Sequence, residues 1–430
     1  MQTRIDGKLL VLYTLLVLQV LIVMVYVAST PTSEFVATTT GTPVSFVNIE
    51  TNQVLPNTKV NRKSSPIYQT ITGEARLQYV RTMDLFEVYN TTLCWKSGLD
   101  EVRMRDEKTM DRCLCKLGWH GADCGQPEVV WRAIMASKQT IKLSRRRAAR
   151  RLIYTFNVND YNSAIAEVIV EELYHVVDFF VICDLSNAED NFRHKLSKGL
   201  VGPQQNKIIY VNVAAKARKP SRVLFKYIWD RINSIVKNIR DDDIYVTTQP
   251  EEILNARALM FLKIYDGWPQ PIGFRLRWSV YGFYWQHPAK TMISVGASTI
   301  GLAREYFRTN SMLIRHDIDG EDSERDVLGL VIGDLNHYGG WYCHYCQAPA
   351  NIIMGIRHDN VKSKIAKYDK NVDVPYVEEL IGTGLWHDGK TNLLRAYKSR
   401  DSYFAPETVL TNTWKYDWLV DNFYAKLDYY

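Results

Sequence analysis

From Leu152 onward the chain alternates short runs of β-branched and aromatic residues with longer helix-forming runs, and this alternation constrains the fold more than any other feature. The runs are Leu152 to Asn157, Ala164 to Leu173, Asp178 to Cys183, Lys207 to Val211, Arg222 to Asn238, Asp243 to Thr248 and Ile253 to Tyr265. Strands separated by helices of ten or more residues cannot close as hairpins, so they must pair in parallel within a sheet covered on its faces. An α/β fold with one mostly parallel sheet is therefore expected over residues 152–430. With 430 residues, 46% of them hydrophobic and 23% charged, the chain can bury a sizeable core, and the composition excludes a disordered or fibrous protein.

Leu9 to Ala28 is a run of twenty residues without a charge. At 1.5 Å per helical residue it covers about 30 Å of hydrocarbon, which predicts a single transmembrane helix; the alternative is a signal peptide cleaved near Val27-Ala28-Ser29. Arg4 and Lys8 precede the run and no Lys or Arg follows until Lys59. The positive-inside rule then keeps residues 1–8 cytoplasmic and places everything after residue 28 across the membrane. Residues 29–75, rich in Thr, Ser and Pro, read as a stem. Asn90-Thr91-Thr92 is an acceptor for an N-glycan, consistent with that topology.

Seven cysteines, at 94, 113, 115, 124, 183, 343 and 346, fit an oxidising compartment. The stretch Cys113-Leu-Cys115 through Gly118-Trp119 to Cys124 resembles the carboxyl half of an EGF-like module. With Cys94 upstream, that resemblance implies pairs Cys94–Cys113 and Cys115–Cys124, stapling a segment at 76–127. Cys343 and Cys346 read as a disulfide, or as two halves of bonds made elsewhere, in preference to a zinc site, because His337 and the cramped His344 complete no ordinary four-ligand set.

Residues 128–151 form a basic, helical connector in which Ser144 to Arg151 carries five arginines in eight positions. No nucleic-acid module accompanies it, so the run reads as a solvated face, not a nucleic-acid surface. Further on, the strand-like Ile244 to Thr248 leads through Glu251 and Glu252 into an apolar helical run. In open α/β sheets ligands gather outside the carboxyl ends of the strands, where such acids could hold a phosphate-bound cation; the bland reading is an acidic helix start. Asp241, Asp242 and Asp243 start the same strand, about 17 Å from that end, and read as a turn.

Six blocks in one order carry a resemblance: FNVN from Phe156, VVDFFVIC from Val176, FLKIYDGW from Phe261, YGFYW from Tyr281, HYGGWYCHYC from His337 and LIGTGLWHDG from Leu380. Through them, residues 152–416 resemble glycosyltransferase family 17, the bisecting N-acetylglucosaminyltransferase family. The resemblance implies a single-sheet nucleotide-sugar transferase of GT-A-like type in the Golgi membrane. It also implies UDP-N-acetylglucosamine as donor, an N-glycan core mannose on glycoproteins as acceptor, and a divalent cation such as Mn2+. On this reading Asn157, Asp184 and Arg277 meet the donor, while Glu251, Glu252 and His337 hold the cation, with Glu252 the catalytic residue. Arg275 and Lys263 are further candidates for diphosphate or glycan, whereas Tyr281, Phe283, Trp285 and Trp341 read as core. Where the family carries D-D-A-D-E, this chain has Thr248-Gln249-Pro250-Glu251-Glu252, and only Glu252 matches. A pseudoenzyme that keeps glycan or partner binding is the rival reading.

Overall fold

The computed structural model describes residues 17–21, 45–49, 76–89, 92–106, 112–159, 162–184, 191–197, 207–213, 232, 235–309, 329–363 and 372–425. The chain divides into two compact units, residues 1–42 and 43–430. Of the first, only the helical and exposed Val17–Leu21 is described, so the apolar run Leu9 to Ala28 lies otherwise outside the described residues. Among the described residues no helix is long and apolar enough to cross a membrane. Asn90 also lies outside them.

The second unit is built on a mixed sheet of eleven strands among the described residues. In chain order they are β1 (Ser45–Ile49), β2 (Leu152–Val158), β3 (Phe179–Asp184), β4 (Ile208–Val213), β5 (Ile244–Thr248), β6 (Glu252–Leu254), β7 (Ile272–Val280), β8 (Gly282–Thr299), β9 (Leu330–Ile332), β10 (Gly340–His344) and β11 (Leu394–Arg395). The strand order is β1-β4-β3-β2-β5-β8-β7-β10-β6, with β9 on β7 and β11 on β8. The first five pair in parallel; β5–β8 and β8–β7 are antiparallel, β7–β10 parallel and β10–β6 antiparallel. β2, β3 and β5 are buried along nearly their whole length, which is why they read as continuous apolar runs and not as alternating ones. Ser45–Ile49 falls in the stretch expected to be stem, yet its β-forming SFVNI adds an edge strand to the sheet.

Helices α1 (Glu128–Ala136), α2 (Ser163–Leu173), α3 (Asn191–Ser197) and α4 (Ala256–Ile264) accompany the sheet. The apolar run after the acids differs from expectation at its start. Glu252 to Leu254 is a strand because it pairs with Gly340 to Tyr342, and the helix begins only after Asn255, whose side chain accepts the N–H groups of Arg257 and Ala258. The connector at 128–151 is helical only through Ala136. Arg145 and Arg147 are exposed, as a solvated face requires, but the other three arginines turn inward to the acid turn that starts β5 and to Asp266. Arg146 pairs with Asp242 and Asp266, Arg150 with Asp266, and Arg151 Nε lies 2.9 Å from Asp243, which is fully buried.

The cysteine-stapled segment has the implied connectivity, Cys94–Cys113 and Cys115–Cys124. Its own core is small, built from Leu99, Met104, Leu114 and the cystines, and Phe86 and Trp95 tie it to the main core. Cys343 and Cys346 are joined to each other, leaving Cys183 as a buried free thiol among the described residues.

Candidate active site

The chain runs from β2 outward through β3 and β4, then returns to place β5 on the other side of β2. This reversal opens a crevice at the carboxyl ends of β2 and β5, the place where open α/β sheets receive ligands. Asn157 and Asp184 stand at the ends of β2 and β3, where Asn157 is in register with Cys183 and Val158 with Asp184. Side chains alternate along a strand, so Asn157 and Asp184 leave the sheet on opposite faces. Asn157 Oδ1 is buried without a hydrogen-bond partner, whereas Asp184 is wholly buried.

At the end of β5 the acid turn is used for structure. Glu252 is 1% exposed, and its Oε2 accepts the N–H of Gln249 at 2.8 Å. Glu251 is half-buried; its Oε1 accepts from Asn162 Nδ2 at 3.3 Å, and its backbone oxygen accepts the Cys343 N–H at 2.8 Å. His337, expected as the third cation ligand, instead turns to Asp334, 3.1 Å from Nδ1, with Glu128 3.9 Å from Nε2. Among the described residues no cluster of three or more His, Cys, Asp or Glu could hold a metal ion. The set Glu251, Glu252 and His337 therefore does not fit a divalent cation, and no catalytic step is derived through one.

At the start of α2, the helix that follows β2, lies a cavity of about 390 Å³. Its floor is the start of α2 with Ser163, Ala164 and Glu167, its sides include Lys195, Tyr281 and Gln347, and residues 415–424 wall it in. Glu167 lies between two lysines, 2.6 Å from Lys195 Nζ and 2.7 Å from Lys415 Nζ. Burial pushes the Glu167 carboxyl up, but hydrogen bonds and charge from the two lysines outweigh it and hold the group below the usual carboxylate range. Lys415 also pairs with Glu171, which accepts the Tyr416 hydroxyl at 2.8 Å. Gln347 is 6% exposed, and its Nε2 has no hydrogen-bond partner. An eleven-residue helix opening toward the cavity, an unpartnered amide and two lysines already paired with Glu167 and Glu171 together suit a polar ligand.

Two expected contacts are corrected by burial. Arg277 is fully buried, donating to Phe404 O at 2.8 Å and pairing with Asp401 at 2.9 Å, so it clamps the later chain to β7 and does not face the crevice. Lys263 is buried too and donates to Val176 O at 2.6 Å and Asp178 at 2.7 Å. Arg275 donates to Thr291 Oγ1 at 3.2 Å within the β7–β8 ladder. Tyr281, Phe283, Trp285 and Trp341 are all core. His337 lines a separate groove of about 640 Å³ together with Glu128, Glu172, Arg257 and Tyr403. Lys195, Lys415 and Glu167 escape a sequence reading because nothing local marks them. Gln347 alone has a signal, its place directly after Cys346.

No family model matches the chain and no solved structure matches it. Curated relatives do. Over 338 residues the chain is 27% identical to the human "Beta-1,4-mannosyl-glycoprotein 4-beta-N-acetylglucosaminyltransferase", a match covering 73% of this chain and 63% of the relative. The mouse and rat proteins of the same name match at 27% identity over 73% of the chain and 62% of their length. The match thus spans less than two thirds of these relatives.

Proposed function

We propose that this chain, a relative of the β-1,4-mannosyl-glycoprotein 4-β-N-acetylglucosaminyltransferases, is a glycosyltransferase whose donor is UDP-N-acetylglucosamine. The sugar goes to the β-linked core mannose of an N-glycan in β-1,4 linkage. One observation carries the reading: the cavity at the carboxyl edge of the sheet joins a helix start, Lys195, Lys415 and the unpartnered amide of Gln347 where the fold leaves room for a nucleotide diphosphate. In an inverting transfer the acceptor hydroxyl forms a bond to the anomeric carbon as the bond to the diphosphate breaks. The hydroxyl proton passes to a base, and the uridine diphosphate leaves with the electron pair. The α2 N–H groups can receive the departing phosphates, and Lys195 and Lys415 join them by exchanging Glu167 and Glu171 for phosphate oxygens. The GT-A-like sheet, the type II anchor at Leu9 to Ala28 and a Golgi location belong to the same proposal.

A second reading is favoured by one observation, the failure of Glu251, Glu252 and His337 to converge. On it the chain binds glycans or partners without transfer. Calorimetry with UDP-N-acetylglucosamine, with and without manganese, followed by a transfer assay on a panel of N-glycans, separates the two. Donor heat and transfer support the enzyme; the absence of both, in a chain folded by circular dichroism, leaves the pseudoenzyme.

A further inference from the structure

A patch of half-buried rings lies next to the donor cavity. Trp278 stacks on His287 with ring centres 3.8 Å apart and planes 15° from parallel. It meets Tyr342 and Trp386 edge-on at 5.9 and 6.1 Å. Trp386 in turn stacks on His344 at 5.2 Å, and His344 Nδ1 is 2.7 Å from the Tyr342 hydroxyl. The rings come from β7, β8, β10 and the loop after Leu385, so the fold assembles them from distant segments.

The patch is continuous with the cavity. Tyr345 lies 5.8 Å from Trp386 and stacks on Tyr281 at 6.3 Å, and Tyr281 lines the cavity. Both tyrosines have left-handed backbones, φ 62° for Tyr281 and 54° for Tyr345, which non-glycine residues adopt only when their surroundings impose it. Here the imposing groups are the Cys343–Cys346 bond and the Tyr281 N–H donated to His344 O at 2.8 Å. Strain is thus concentrated where cavity meets patch. No carboxylate or lysine belongs to the stack, and burial lowers the His287 pKa against the pull of Asp388. Broad, amphipathic rings suit a ligand with an apolar face and a hydroxyl rim, which is the chemistry of a pyranose.

We propose that Trp278 and Trp386 form the acceptor platform, on which a mannose of an N-glycan lays its C–H face beside the donor cavity. The choice of a saccharide rests on the transferase reading. The test uses the full chain and a free biantennary N-glycan as probe, titrated calorimetrically without donor. The wild type is expected to bind, Trp278→Ala and Trp386→Ala to weaken binding about tenfold, and Trp386→Phe to keep most of it. Binding of UDP-N-acetylglucosamine is expected to be unchanged in all three, which also reports that they fold. Glycan binding that is absent in the wild type, or equal in wild type and the alanine variants, overturns the platform. Failure of the transferase reading looks different: glycan binding that depends on the two tryptophans with no transfer by the wild type. Transfer with an acceptor KM untouched by Trp386→Ala sinks the platform alone.

Discussion

Glu252 accepts the backbone N–H of Gln249 while its own N–H donates back to Gln249 O at 3.1 Å, so this residue closes the turn in which a cation ligand was expected. Removing its buried carboxylate takes away a hydrogen-bond acceptor and leaves a void. Glu252→Ala should therefore destabilise the fold by about 1–3 kcal/mol, and Glu252→Gln, which can still accept, by less than about 1 kcal/mol. Urea denaturation of the two variants checks this; equal stability of Glu252→Ala and wild type would free the carboxylate for another role.

His337 faces Asp334 and Glu128 and not the crevice. His337→Ala should leave the half-saturating manganese concentration of any transfer unchanged. A shift in that concentration would place His337 at a cation.

Glu167 gives the cavity a pH dependence. Its folded pKa lies below the unfolded value, so its pairing contributes full stability above the ordinary glutamate value of about 4.3 and loses it as pH falls through the lower folded one. Lys415 is held above the usual lysine range: burial lowers it, but Glu167 and Glu171 outweigh that. Its share persists until pH rises through that raised value. Thermal unfolding from pH 3 to 7 should fall off at the acid end in the wild type and less steeply in Lys415→Met.

Arg277 is expected to matter for folding and not for donor affinity. Arg277→Ala leaves Asp401 and Phe404 O without their partner and should cost about 3–5 kcal/mol. Melting measured with and without UDP-N-acetylglucosamine should show a lower midpoint and an unchanged donor-induced increment. A lost increment would return Arg277 to the donor.

The two cystines of the amino-terminal segment close loops of different size, with separations of 19 and 9 residues. Each should contribute about 2–5 kcal/mol, and the longer loop about 0.6 kcal/mol more by closure entropy. Cys113→Ser should accordingly lower secretion more than Cys115→Ser, and mass mapping should recover both bonds in the wild type.

The central strands were legible because burial on both faces makes them continuous apolar runs: FNVN and VVDFFVIC end on the crevice in which Asn157 was expected. What was not legible depends on partners far along the chain. Ile253 looks helical until Trp341 arrives to pair with it, and Arg277 looks like a donor-facing cation until Phe404, 127 residues later, accepts its N–H. Arg146, Arg150 and Arg151 look like part of a solvated face because local sequence does not show that Asp242, Asp243 and Asp266 fold against them. The cavity's own charges share this limit, since the lysine that tops Glu171 is 244 residues away.

That separation orders events during synthesis. The floor of the cavity is made when α2 emerges, but its outer wall waits for residues 415–424. Until those residues are threaded into place the nascent chain has no enclosed chamber. A stalled or clipped chain that lacks them should retain much of the sheet yet leave the start of α2 open to solvent on that side.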